Sequence, residues 1–135
     1  MLGLARVLLV HGELAPRLAL QTILQAGGYF VEAAASPSEA LAKLDEGQYD
    51  LVLSDASLGS RAAGRRVLAY ARVKGYHPAT ALITSSQLVA EERSIPYGGH
   101  EISVYTENLP SLLEDVAELI GARAIRRSRP LRAAV

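Results

Sequence analysis

Tyr49-Asp50-Leu51-Val52-Leu53-Ser54-Asp55 is an apolar run that stops at an acid. It is too short to stand alone as a helix and rich enough in branched residues for a buried strand, so Asp55 caps a strand. In an open parallel sheet the functional crevice lies beyond the carboxyl ends of the strands, where the strand order reverses. An acid in that position is therefore a site candidate by geometry alone. The competing reading is a plain turn or N-cap residue, a role in which Asp is common.

Working outward, four more runs share this character. Ala5 to Val10 is a compact apolar run ending at His11-Gly12-Glu13, and Tyr29 to Ala34 is a second strand. Ala79 to Ile83 is followed by the hydroxyl row Thr84-Ser85-Ser86, and Ile102 to Tyr105 is a short fifth strand. Helical patterns fill the gaps. Pro16 suits a first helical turn, and Leu18, Leu20, Ile23, Leu24 and Ala26 recur near helical spacing until Gly27-Gly28. Ser36-Pro37-Ser38-Glu39 combines an N-cap serine, a proline at the first helical position and a Glu three residues on; that helix closes at Gly47. After a small polar loop over Ala56 to Gly64, Arg65 to Lys74 presents Val67, Leu68 and Ala71 inward and ends at Gly75. Gln87 to Arg93 has room for two turns before Pro96 and Gly98-Gly99. Leu109 to Ile120 has Leu112, Leu113, Val116 and Ile120 on one face, and Gly121 is expected to terminate it.

Five strands and five helices in alternation imply right-handed crossovers. The expected fold is α/β, a doubly wound five-stranded parallel sheet of order 2-1-3-4-5. That order brings His11, Gly12, Glu13, Asp55 and Thr84 to one crevice. With 135 residues, half of them hydrophobic, the chain is expected to form one domain over 1–122, followed by a basic tail over 123–135. Arg123, Arg126, Arg127, Arg129 and Arg132 give that tail its charge; a solvated, frayed end is expected rather than a phosphate-binding one. The 14 acids balance 14 bases, so no pull toward nucleic acid or a membrane follows. There is no cysteine, which excludes disulfides and thiolate metal sites and fits a cytoplasmic location. Met1 to Val10 is too short to span a bilayer and is read as neither signal peptide nor anchor.

Taken together, Val7-Leu8-Leu9-Val10 with its corner, Tyr49 to Asp55, and Ala81-Leu82-Ile83-Thr84 resemble the receiver domain of two-component response regulators, a flavodoxin-like fold, over roughly residues 4 to 122. The resemblance implies that Asp55 matches the aspartate phosphorylated by a histidine kinase. It implies that Thr84 matches the hydroxyl that contacts the phosphoryl group, and that Tyr105, which on its own reads as a packed aromatic at the edge of the last strand, stands near an aromatic that switches rotamer. Other positions depart from the pattern. Receivers place two adjacent carboxylates after the first strand to hold magnesium, where this chain has His11-Gly12 and then Glu13. The lysine after the fifth strand is missing from Tyr105-Thr106-Glu107; Gly59 stands where a proline is common, and Gly64 is displaced by about one residue from the usual glycine.

Magnesium wants oxygen ligands, usually from one or two carboxylates, and a millimolar affinity amounts to only about 4 kcal/mol in total. Losing both carboxylates can erase binding unless Glu13 reaches in beside Asp55, so no cofactor is expected and magnesium is at most weakly held. His11 reads either as a replacement, a metal ligand or proton-sensitive cation beside Asp55, or as a hydrogen-bonded structural residue, the commoner case for a lone histidine. The expected function is that of an atypical, stand-alone receiver and not an enzyme. It would dock to a histidine kinase, a phosphotransferase or another regulator, or to a second copy, through the face of the fourth helix, fifth strand and fifth helix or through the first helix. The alternatives are a working phosphoacceptor at Asp55 and a small flavodoxin-like enzyme or nucleotide binder. Against the last, His11-Gly12-Glu13-Leu14-Ala15-Pro16 lacks both glycine-rich phosphate-loop patterns.

Overall fold

A computed structural model describes residues 4–55, 61–84, 103–106 and 108–128. In chain order the elements are β1 (Arg6–Val10), α1 (Leu14–Ala26), β2 (Phe30–Ala34), α2 (Pro37–Glu46), β3 (Leu51–Asp55), α3 (Arg61–Arg72), β4 (Ala79–Thr84), β5 (Ser103–Tyr105) and α4 (Leu109–Ser128). The strands form one parallel sheet of order β2-β1-β3-β4-β5, as the alternation predicts. The helix expected over Gln87 to Arg93 lies outside the described residues, as do Gly59 and the loop residues 56–60.

Side chains alternate across the pleat, so each strand feeds two cores. Val7, Leu9, Leu51, Leu53, Ala81 and Ile83 pack on one face with Leu20 and Leu24 of α1 and Leu112 and Val116 of α4. Leu8, Val10, Val52 and Leu82 pack on the other with Ala40 and Leu44 of α2 and Val67, Leu68 and Ala71 of α3. Burial on both faces is why β1 and β3 read as continuous apolar runs rather than as alternating ones.

Local signals set the starts and stops. Ser36 Oγ accepts the Glu39 N–H at 3.2 Å, while Glu39 Oε1 accepts the Ala35 N–H at 2.5 Å, so α2 opens on a reciprocal cap. Gly28 after α1 has φ 100°, which only glycine adopts readily. Helices α3, which ends at Arg72 rather than Lys74, and α4 differ from expectation at their boundaries. α3 begins at Arg61 rather than Arg65, and Gly64, expected in a loop, lies within its first turns. There a Cβ would stand 2.2 Å from the Asp55 carbonyl oxygen, so glycine lets the helix press onto the end of β3.

Helix α4 runs through Gly121 to Ser128 instead of stopping. The residues after Gly121 are helix formers, and a distant anchor holds them. Arg123, expected in a frayed tail, is buried. Its guanidinium donates to Asp50 Oδ1 at 2.6 Å, to the Tyr76 carbonyl at 2.6 Å and to the His77 carbonyl at 2.9 Å. Asp50 Oδ2 in turn accepts the Arg6 N–H at 2.7 Å, which ties α4 to the start of the sheet. Burial holds Arg123 below the usual arginine range, and the Asp50 charge opposes that shift.

Candidate functional site at the carboxyl end of the sheet

The doubly wound order splits the chain path between β1 and β3, and the crevice opens there. Four polar residues come from the ends of four strands: His11 after β1, Asp55 ending β3, Thr84 ending β4 and Thr106 after β5. They line a crevice of about 430 Å³ with Pro16, Ala19, Leu20 and Ile23 of α1, Ile83, and Leu109 of α4. The expected convergence of His11, Asp55 and Thr84 is present.

Gly12 and Glu13 are not among the lining residues. Glu13 is exposed and occupies the N-cap of α1, with extended backbone and no side-chain cap hydrogen bond. Its own N–H donates to His11 Nδ1 at 3.2 Å. In that bond Nδ1 is the acceptor. Nδ1 also stands 3.9 Å from Asp55 Oδ2, beyond hydrogen-bond distance but within ion-pair range. The Glu13 contact fits a hydrogen-bonded structural residue, and the approach to Asp55 fits a cation beside it, so both sequence readings of His11 have a contact in the structure. Arg17 completes the corner, its guanidinium donating to the His11 carbonyl at 3.0 Å.

Among the described lining residues Asp55 is the single carboxylate, with its side chain 14% exposed. Among the described residues no group of three His, Asp or Glu side chains is placed to hold a metal ion. Magnesium needs several oxygen donors; among the described lining residues, one carboxylate, two threonine hydroxyls and an imidazole whose Nδ1 accepts the Glu13 N–H do not make up such a set. Thr84 is buried and lies in register with Tyr105, whose side chain lies outside the described residues.

Thr106 and Leu109 are among the lining residues that the sequence reading did not place in the crevice. Thr106 N–H and Oγ1 both approach the Thr84 carbonyl, at 3.2 and 3.5 Å. The position directly after a strand end was the available signal for Thr106. Leu109 sits in the first turn of α4, where nothing in its spacing distinguishes a crevice wall from a core residue.

No family model matches the sequence, and no curated protein does. Solved structures match well. The response regulator protein TrrA from Thermotoga maritima, solved in complex with Mg²⁺-BeF, is 30% identical; the match covers 85% of this chain and 98% of that chain at a TM-score of 0.66. A CheY-like response regulator receiver domain protein from Methanospirillum hungatei JF-1 is 24% identical over 92% of this chain and 99% of its own, at a TM-score of 0.73. A response regulator receiver domain protein from Clostridium thermocellum shares the fold at a TM-score of 0.74 and 18% identity, over 90% of this chain and 98% of its own. The chain belongs to the response regulator receiver domains of two-component signalling. Among the described residues no helix is long and apolar enough to cross a membrane.

Proposed function

We propose that this receiver signals mainly through protein contact, with phosphorylation of Asp55 impaired or absent, by docking to a histidine kinase, a phosphotransferase or another regulator. One observation carries the reading: among the described residues the crevice presents a single carboxylate, and the residue standing where a receiver places its first metal-holding acid is His11, with Nδ1 engaged by the Glu13 N–H. Phosphoryl transfer relies on positioning and charge neutralisation. With His11-Gly12 where a receiver places two carboxylates, and with no lysine in Tyr105-Thr106-Glu107, the sequence lacks the family's main charge-neutralising groups at those positions.

A working phosphoacceptor is the second reading, favoured by Asp55 and Thr84 facing one open crevice. Melting curves with and without millimolar Mg²⁺ separate the two. A site filled at a hundred times its dissociation constant gains about 2.7 kcal/mol, so a clear upward shift abolished by Glu13→Ala would show that Glu13 rescues the metal site and would revive the second reading. The first expects no shift, and equal partner affinity for the wild type and Asp55→Asn.

A further inference from the structure

At the amino-terminal end of the sheet, where β1 and β3 begin, an open groove of about 520 Å³ is lined by Arg6, Gln48, Tyr49, Asp50, Arg123 and Arg127. It shares no residue with the Asp55 crevice at the other end of the strands. Arg123 and Arg127, read from sequence as part of a solvated tail, reach the groove because α4 continues to Ser128 and the i, i+4 spacing puts both on one face. Arg123 Nη2 and Arg127 Nη1 donate to the same Tyr76 carbonyl, at 2.6 and 2.8 Å, so nitrogens of the two guanidiniums stand no more than 5.4 Å apart. Asp50 is the one carboxylate among the described lining residues, and both its oxygens are taken, by Arg123 and by the Arg6 N–H. Arg127 pairs with no carboxylate among the described residues. Three arginines against Asp50 leave a surplus of two positive charges. Glu32, which pairs with Arg6 at 3.0 Å, does not remove it, because Lys43 also approaches Glu32, at 3.9 Å.

We propose that this groove binds the phosphate group of a small phosphomonoester, held in the guanidinium fork of Arg127, with Arg6 and Gln48 supplying further donors. The donors are at hand. Arginine donates through Nε and both Nη atoms, yet Arg127 gives a single hydrogen bond, to the Tyr76 carbonyl, and the Arg6 guanidinium a single one, to Glu32. Gln48 is exposed, and its amide makes no hydrogen bond among the described residues. The planar fork of arginine matches phosphate oxygens in pairs. A phosphomonoester carries close to two negative charges at neutral pH and so balances the surplus, whereas a carboxylate would balance half of it. An anion in the groove also relieves the repulsion between Arg123 and Arg127. A phosphate alone occupies a small part of about 520 Å³, a volume in the range of small-molecule sites, and the remainder accommodates the organic part of an ester.

Isothermal titration calorimetry on the full chain at low ionic strength tests the proposal, with inorganic phosphate and phenyl phosphate as probes. Both should bind, the ester more tightly; an ester that binds more weakly than free phosphate overturns the assignment to a phosphomonoester. Arg127→Ala should weaken both probes about tenfold or more. Arg126→Ala removes the same charge from the same helix but outside the groove lining, and should change either affinity less than about twofold. Gln48→Glu sets a carboxylate among the lining residues and should weaken binding about tenfold, which decides the matter should Arg127→Ala unfold the chain by circular dichroism. Amide and side-chain NMR shifts on adding phosphate should centre on Arg6, Gln48 and Arg127. No binding at about 10 mM of either probe overturns the proposal, as does equal weakening by Arg126→Ala and Arg127→Ala. Shifts centred on His11, Thr84 and Thr106 would place the anion in the Asp55 crevice and refute the groove, without bearing on whether Asp55 is phosphorylated.

Discussion

Replacing Arg123 with alanine removes three hydrogen bonds at once, those to Asp50 Oδ1, the Tyr76 carbonyl and the His77 carbonyl. Removing one partner of a fully buried ion pair costs about 3–5 kcal/mol, because the other charge is stranded. Asp50 is not fully stranded: its side chain is 34% exposed, and its second oxygen keeps the Arg6 N–H. Water can resolvate the freed oxygen, which brings the expected loss to about 2–3 kcal/mol. For a domain of this size, that corresponds to a fall of about 6–10 °C in Tm. Arg123→Lys keeps the charge but not the fork that reaches three acceptors, and should recover less than half of the loss. Arg126→Ala, on the exposed face of the same helix, should stay within about 0.5 kcal/mol of the wild type at concentrations where the chain is monomeric. Thermal melts by circular dichroism and urea titrations measure all three. An Arg123→Ala protein melting within about 2 °C of the wild type would refute the anchoring of α4 beyond Gly121.

Gly64→Ala should be among the most disruptive single-methyl changes in the chain, because the new Cβ would stand 2.2 Å from the Asp55 carbonyl oxygen; a loss of about 3 kcal/mol or more is expected, read from urea midpoints. Tyr49 is pushed above the ordinary tyrosine range by burial first and by its 2.7 Å hydrogen bond to Glu32 second. A raised folded-state pKa contributes stability that is complete below the unfolded value near pH 10 and is lost as pH rises toward the folded one. Tyr49→Phe should therefore cost about 1 kcal/mol at neutral pH and flatten the loss of stability above pH 10, followed by denaturant titration across that range.

Strand identity was legible because sheet burial on both faces writes itself as short unbroken apolar runs, and the order of strands followed from their alternation with helices. The cap of α2 was legible too, since Ser36, Pro37 and Glu39 act within one turn. Misreadings arose where a distant contact decided the outcome. Gly121 looks like a helix stop, yet α4 continues, held by Asp50, a residue 73 positions earlier in the chain. Gly64 looks like loop, yet its missing side chain serves the contact with β3. In the crevice, strand ends placed His11, Asp55 and Thr84 correctly, whereas nothing in the order of residues reveals that Glu13 turns outward while its N–H closes onto His11.

Whether Asp55 accepts phosphate is decided by incubating the protein with radiolabelled acetyl phosphate and Mg²⁺, beside Asp55→Asn, and counting the acid-stable, hydroxylamine-labile label. The crevice described above should leave the wild type as poorly labelled as Asp55→Asn. Rapid, near-stoichiometric labelling that vanishes in Asp55→Asn would contradict the phosphorylation-independent reading and make the chain an ordinary phosphoacceptor.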